Sequence, residues 1–181
     1  MCIRDWFQGK ALGSRVGCAV LLTLLKEELP LDCTFVFTAQ EEVGNRGAFG
    51  AGFSVTPEIA LVLDGADTAD APGVPAHKRG CTLGKGVVLP VMDKGSIADR
   101  GLFERLRTLA ERETIRWQTS GSIPGRTDAA ALQRTKAGVR TAMLSVPVRY
   151  HHTPSGLVSM EGVDGMLALT RAFLSDLAEK E

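Results

Sequence analysis

The feature that most constrains this chain is a repeated switch in hydrophobic period. Four short, nearly continuous apolar runs stand out: CTFVFT (33–38), IALVL (59–63), GVVLPV (86–91) and VRTAMLSV (139–146). Runs of this length with no polar face suit strands covered on both sides. Between them lie segments with helical spacing. Residues 15–29 are apolar nearly all round in their first half and are closed by Pro30, which predicts a buried helix. NRGAFGAGF (45–53) reads as a small-residue helix or turn, and residues 115–119 as a further strand. Leu102, Phe103, Leu106, Leu109 and Ala110 share one face of a helix over 99–113, and Val163, Met166, Leu167, Phe173, Leu174 and Leu177 form the stripe of a C-terminal helix. Strand and helix in alternation predict an α/β fold: three layers, with a mixed, mostly parallel sheet and helices on both faces. Pro90 places 86–91 at an edge or a bulge, because proline cannot donate to a ladder.

The length of 181 residues suits a single domain, and 44% hydrophobic residues can fill a core. The 21 basic and 21 acidic residues cancel, and no basic run occurs, so nucleic-acid binding by charge is not expected. The longest apolar stretch has five residues, Cys18–Leu22 or Ile59–Leu63, against the ~20 of a membrane span. The N-terminus has no apolar signal core, and Cys2, Cys18, Cys33 and Cys81 show no paired spacing. These features lead us to expect a cytoplasmic protein with reduced thiols.

In open α/β sheets, sites gather beyond the carboxyl ends of strands. That rule selects Gln40–Glu42, Asp64, the 120–128 loop and Arg149–His152. Two adjacent acids are most often a solvated pair. Glu41 and Glu42, however, leave a strand expected to be buried, and neighbours there point different ways. One can bind a cation while the other faces a water, which is the division of labour a metal hydrolase needs. Asp64 is as readily an Asx turn as a ligand. His151 and His152 follow a strand and bring imidazole to a carboxylate-rich region, a donor set suited to Zn²⁺, Co²⁺ or Mn²⁺. Thr127–Asp128 read first as a helix start, with Thr127 as the N-cap. The 65–86 segment, rich in Gly, Pro, Ala and Asp, is the longest irregular stretch, and His77 within it is solvated.

The segments GKALGSRVGCAVLLTLL, FVFTAQEEVGNRGA, LVLDGADTADAPG, LGKG, GRTDAAA and SVPVRYHHTPS resemble, in order and spacing, the tetrahedral-type deblocking or glutamyl aminopeptidases. The resemblance runs from about Gly9 to the C-terminus and leaves 1–8 as a leader outside it. It implies a dinuclear zinc or cobalt centre, release of N-terminal residues from peptides, and a homo-oligomer. It assigns Glu41 as general base, Glu42 and His152 as ligands of one metal, and Asp64 as ligand of the other. Thr127, Asp128, Arg149 and Tyr150 fall in motifs beside the site. Three departures matter. Gly13 stands where the family carries a metal-bridging aspartate. An upstream histidine ligand and an inserted dimerisation domain have no counterpart in these residues. Gly156 replaces a glutamate that usually follows the ligand histidine. Two ligands for one metal and one for the other fall short of the usual three plus water. The chain is therefore expected to hold one divalent metal loosely or none. It reads as a metal-dependent aminopeptidase with an incomplete site, an inactive scaffold or regulatory homologue, or a truncated form of a longer active peptidase.

Overall fold

The structure is a computed structural model that describes residues 2–120 and 125–179. In chain order it runs β1 (Cys2–Ile3), β2 (Trp6–Gly9), α1 (Leu12–Leu24), α2 (Arg46–Val55), β3 (Ile59–Asp67), β4 (Val87–Leu89), α3 (Arg100–Arg112), β5 (Trp117–Thr119), α4 (Ala129–Leu132), β6 (Arg140–Val148), β7 (Gly156–Ser159) and α5 (Met160–Ala178). The main sheet has the order β3-β6-β4-β5. β3 and β6 pair in parallel along their whole length, from Ile59 opposite Arg140 to Asp67 opposite Val148. β4 runs parallel to β5 and antiparallel to β6. β1, β2 and β7 form a small antiparallel sheet beside it.

The pleat of β6 separates core from cleft. Ala142, Leu144, Val146 and Val148 enter one apolar cluster with Val16, Val20 and Leu24 of α1, Leu102, Leu106 and Leu109 of α3, and Met166, Leu169 and Phe173 of α5. The alternate residues Met143 and Ser145 face the other way and line a cleft. α2 and α4 touch each other, and α4 meets β3 and β6. The expected α/β architecture, mixed and mostly parallel with helices on both faces, is therefore present.

Glycines let α1 lie close on β3. A Cβ on Gly17 would fall 2.3 Å from the Leu63 carbonyl oxygen, and one on Gly65 would fall 2.6 Å from Gly13 Cα. Gly17→Ala should destabilise by about 2 kcal/mol, because an overpacking cost of up to ~3 kcal/mol against backbone outweighs the ~1 kcal/mol gained in helix propensity. The corresponding fall in Tm is roughly 4–8 °C, measurable by thermal melts.

Several elements differ from the sequence expectations. Residues 33–38 form no strand and join no ladder among the described residues, and Val36 and Phe37 remain 39% and 45% exposed. The apolar run encodes burial that these residues do not supply; only Phe35 reaches the core. α1 spans Leu12–Leu24 rather than 15–29. Glu27 and Glu28 would oppose the helix dipole at that end, and Pro30 disfavours helical backbone at Leu29. β4 is interior, not an edge, since it stops at Leu89 and leaves Pro90 beyond the ladder. β3 continues past Asp64 to Asp67, held by β6. The helix expected after Thr127 is only four residues long, with Asp128 as N-cap, although the Thr127 hydroxyl accepts a bond from Ala129 N–H at 3.3 Å. Of the loop expected at 120–128, residues 121–124 lie outside the described residues. Residues 2–9 supply β1 and β2, which the sequence did not reveal.

Candidate functional site

A cleft of about 370 Å³ opens at the carboxyl ends of β3 and β6. It gathers Glu41, Glu42, Asp64, Asp67, His151 and His152, with Asp93 and Thr127 on the far wall. The chain turns into it at Gln40, whose φ of 61° is left-handed. A tight turn follows, with Gly44 and Asn45 N–H groups donating to the Glu41 carbonyl at 3.0 and 2.9 Å. This turn splits the acid pair as expected. Glu41 is half-buried, while Glu42 points outward and is 66% exposed.

Each acid has its own surroundings. Glu41 accepts a bond from Asn45 Nδ2 at 3.0 Å. Burial, then the charges of Asp64, Asp128 and Glu42, push its carboxyl up to about 7, against the Asn45 bond. Asp64 accepts from the Gly65 N–H at 2.8 Å. Burial raises it to about 6; Asp128 and Glu42 add to the rise, while Gly65 and the Ser14 hydroxyl oppose it. Asp128 is buried and accepts from Thr38 Oγ1 at 2.5 Å and Asn45 Nδ2 at 3.2 Å. Thr127 is turned to a structural task, since its N–H and hydroxyl both donate to Asp93 Oδ2, at 2.8 and 2.9 Å. Asn45, Ser14 and Asp67 were not singled out by sequence reasoning. Asn45 had one available signal, its place one turn after the acid pair.

After β6 the chain passes Arg149 and Tyr150 and returns through His152, whose φ of 58° is left-handed. His152 Nε2 lies 3.3 Å from Glu42 Oε2. The two histidine rings lie 4.0 Å apart between centroids. Burial and the neighbouring His152 hold the His151 imidazole below the ordinary histidine range.

Residues 2–169 match the sequence pattern of the M42 glutamyl aminopeptidases. The chain belongs to this family. A protein of Acetivibrio thermocellus named "Putative aminopeptidase" is 36% identical over 167 residues, covering 91% of this chain and 50% of the relative. Aminopeptidase APDkam598 of the archaeon Desulfurococcus kamchatkensis superposes with a TM-score of 0.91 at 32% identity, covering 96% of this chain and 50% of that one. The TET1 peptidase of Pyrococcus horikoshii, described as assembling into a tetrahedron or a large octahedral shell, gives a TM-score of 0.76 at 28% identity over 93% of this chain and 50% of its own. The chain spans about half the length of the curated relatives it matches.

M42 aminopeptidases are divalent-metal enzymes, and the donors in this cleft can be tested against that need. Glu42 and His152 make a close pair. Asp64 stands apart, held by Gly65 and Ser14. Among the described residues, no three His, Cys, Asp or Glu side chains stand within reach of one ion. The arrangement therefore does not fit a two-metal centre. Arg149 and Tyr150 do not line the cleft. The Arg149 guanidinium grips Asp70 in two bonds of 2.9 and 2.8 Å. That grip holds the Asp70 carboxyl down at about 2. Arg149 thereby ties the irregular segment after β3 to β6. Arg149→Met should cost about 1–2 kcal/mol at neutral pH, discounted because the guanidinium is partly solvated. A depressed carboxyl stabilises only while ionised, so the difference from wild type should shrink as pH falls from about 4 towards 2 in denaturant titrations.

Proposed function

We propose that the cleft is the site of a metal-dependent, aminopeptidase-like hydrolase that removes N-terminal residues from peptides, with Glu41 as general base. The observation that carries this is Glu41 itself. It is a half-buried carboxyl facing a cleft among three other acids, poised at about 7, where a base can both take and return a proton. Asn45 fixes one carboxyl oxygen and leaves the other for a water. Glu41 would accept that water's proton as the oxygen attacks the peptide carbonyl, then deliver it to the departing amine. The acid walls favour a substrate's free α-ammonium over a blocked terminus. Zinc or cobalt, at most one per chain, is the expected metal.

A second reading has its own support. The absence of a three-donor cluster among the described residues, together with Gly13, favours a catalytically inactive homologue acting as scaffold or regulatory subunit. Either reading extends to a homo-oligomer. Leu22, Leu25, Phe37, Phe49 and Phe53 are exposed apolar side chains that a neighbouring copy could cover, and the Pyrococcus horikoshii relative can assemble into a tetrahedron or a large octahedral shell. For localisation, no helix among the described residues is long and apolar enough to cross a membrane; a cytoplasmic setting is part of this proposal.

The deciding experiment incubates the purified protein with a peptide bearing a free N-terminus and with its acetylated counterpart, in chelator, Zn²⁺ or Co²⁺. Release of the first residue from the free peptide alone, dependent on cation, supports the hydrolase. Internal cleavage, or equal cleavage of both, overturns it. No cleavage under any condition favours the scaffold.

A further inference from the structure

We infer that His151 sets the cation capacity of the cleft, by filling with its imidazole the volume that a side chain at position 13 would need. The inference rests on the metal-dependent reading for the cation, though not for the steric exclusion.

Gly13 is buried in the first turn of α1, next to Ser14, which lines the cleft and contacts Asp64. A Cβ built on Gly13 would lie 2.3 Å from His151 Nε2, 3.1 Å from its Cδ2 and 3.5 Å from its Cε1. The ring therefore occupies the first atom's position of any side chain there. The ring is the part that must yield. Its imidazole is the far end of a side chain, whereas the backbone around Gly13 is held by the close approach of Gly65 to Gly13 Cα and of Gly17 to the Leu63 carbonyl. Yielding carries a further consequence. The His151 ring lies 4.0 Å from that of His152, which stands 3.3 Å from Glu42.

Position 13 neighbours both donor groups: Gly65, which follows Asp64, packs on Gly13 Cα, and the His151 ring that faces position 13 stacks near His152, the partner of Glu42. A carboxylate arm from α1 would bridge them. With an imidazole lodged in front of a glycine, the two groups stay separate, and no three donors among the described residues converge. Glu42 and His152 alone give two ligands where a zinc site takes three or more. The glycine and the histidine thus form one exclusion pair: a side chain added at 13 alone drives the ring against His152 and disturbs its pairing with Glu42, so only their joint replacement opens the bridge position with that pair intact.

Zinc titration by calorimetry on four proteins tests this: wild type, Gly13→Asp, His151→Ala and the double variant. We expect each single variant to stay within about threefold of wild-type affinity with no added equivalent, and the double variant to gain a second equivalent or at least about tenfold in affinity, a strong non-additivity. Gly13→Asp alone gaining as much as the double variant overturns the inference, and so does a double variant that gains nothing. A metal-free measurement guards against misfolding of Gly13→Asp. In wild type, nuclear Overhauser contacts should join the His151 ring protons to the Gly13 α protons; in Gly13→Ala, the ring signals should shift and those contacts to residue 13 should vanish. A ring that stays in place when the Gly13→Ala methyl is added overturns the exclusion. Peptide hydrolysis is scored separately. Non-additive zinc binding without turnover would sink the hydrolase reading and leave this one standing.

Discussion

Glu41→Gln should lower the release of N-terminal residues by about 10²–10⁴-fold, the range for losing a general base, under whichever cation gives the fastest turnover. Glutamine keeps the oxygen that accepts from Asn45 Nδ2, so the turn that carries it should persist. It cannot take a proton from water. The loss should fall on kcat, with substrate affinity nearly unchanged. A folding defect is easily separated from a chemical one. Glu41 sits well above the ordinary carboxylate range because burial and three neighbouring acids oppose its charge. Replacing it by a neutral group should therefore leave stability at alkaline pH equal or higher. Undiminished kcat in a folded Glu41→Gln protein would remove Glu41 from the chemistry.

Asp64→Asn should raise stability sharply, and only at the higher pH values. In the folded protein the Asp64 carboxyl rises from 3.8 to about 6, mainly through burial. The native state then binds a proton more tightly than the unfolded chain does. Stability from this group is fully present below about 4 and is lost as pH rises through about 6. A difference of that size corresponds to on the order of 2–3 kcal/mol. In chelator near pH 8, Asp64→Asn should melt roughly 5–10 °C above wild type, and near pH 4 the two should nearly coincide. Asparagine can still accept from Gly65, so the backbone bond is not the variable. Glu41 titrates with the same sign and deepens the wild-type slope. Equal melting temperatures across the range would mean that the Asp64 charge is already compensated in the folded chain.

The strand most legible in the sequence is the one covered on both faces: VRTAMLSV announces the interior β6 because burial on two sides leaves no polar alternation to confuse the reading. IALVL also announces β3, although that strand lies at the sheet edge and is only partly buried along its length. The same rule failed at 33–38, where apolar residues are present but their cover is not. Pro90 misled because a proline one residue past a strand looks the same, in sequence, as one inside it. The extension of β3 through Gly65 and Ala66 was invisible locally, since β6 imposes it across the ladder. Within the site, the split of Glu41 and Glu42 was expected from strand geometry, but the turn through Gln40 and Asn45 produces it, since 33–38 joins no ladder among the described residues. The grip of Arg149 on Asp70 and the seat of His151 against Gly13 did not. Both join residues distant in sequence, and neither residue type is unusual where it stands.

The β3–β6 ladder also carries a temporal consequence. Its partners are about eighty positions apart along the chain, so closing it costs loop entropy before any contact rewards the closure. A slip of one residue would turn Asp64 away from the side it shares with Ser145. The acids and imidazoles therefore cannot meet in an early collapsed state with the wrong alignment. The rate-limiting event of refolding and the birth of the cleft should be the same event, and the slow arm of a refolding trace should report both.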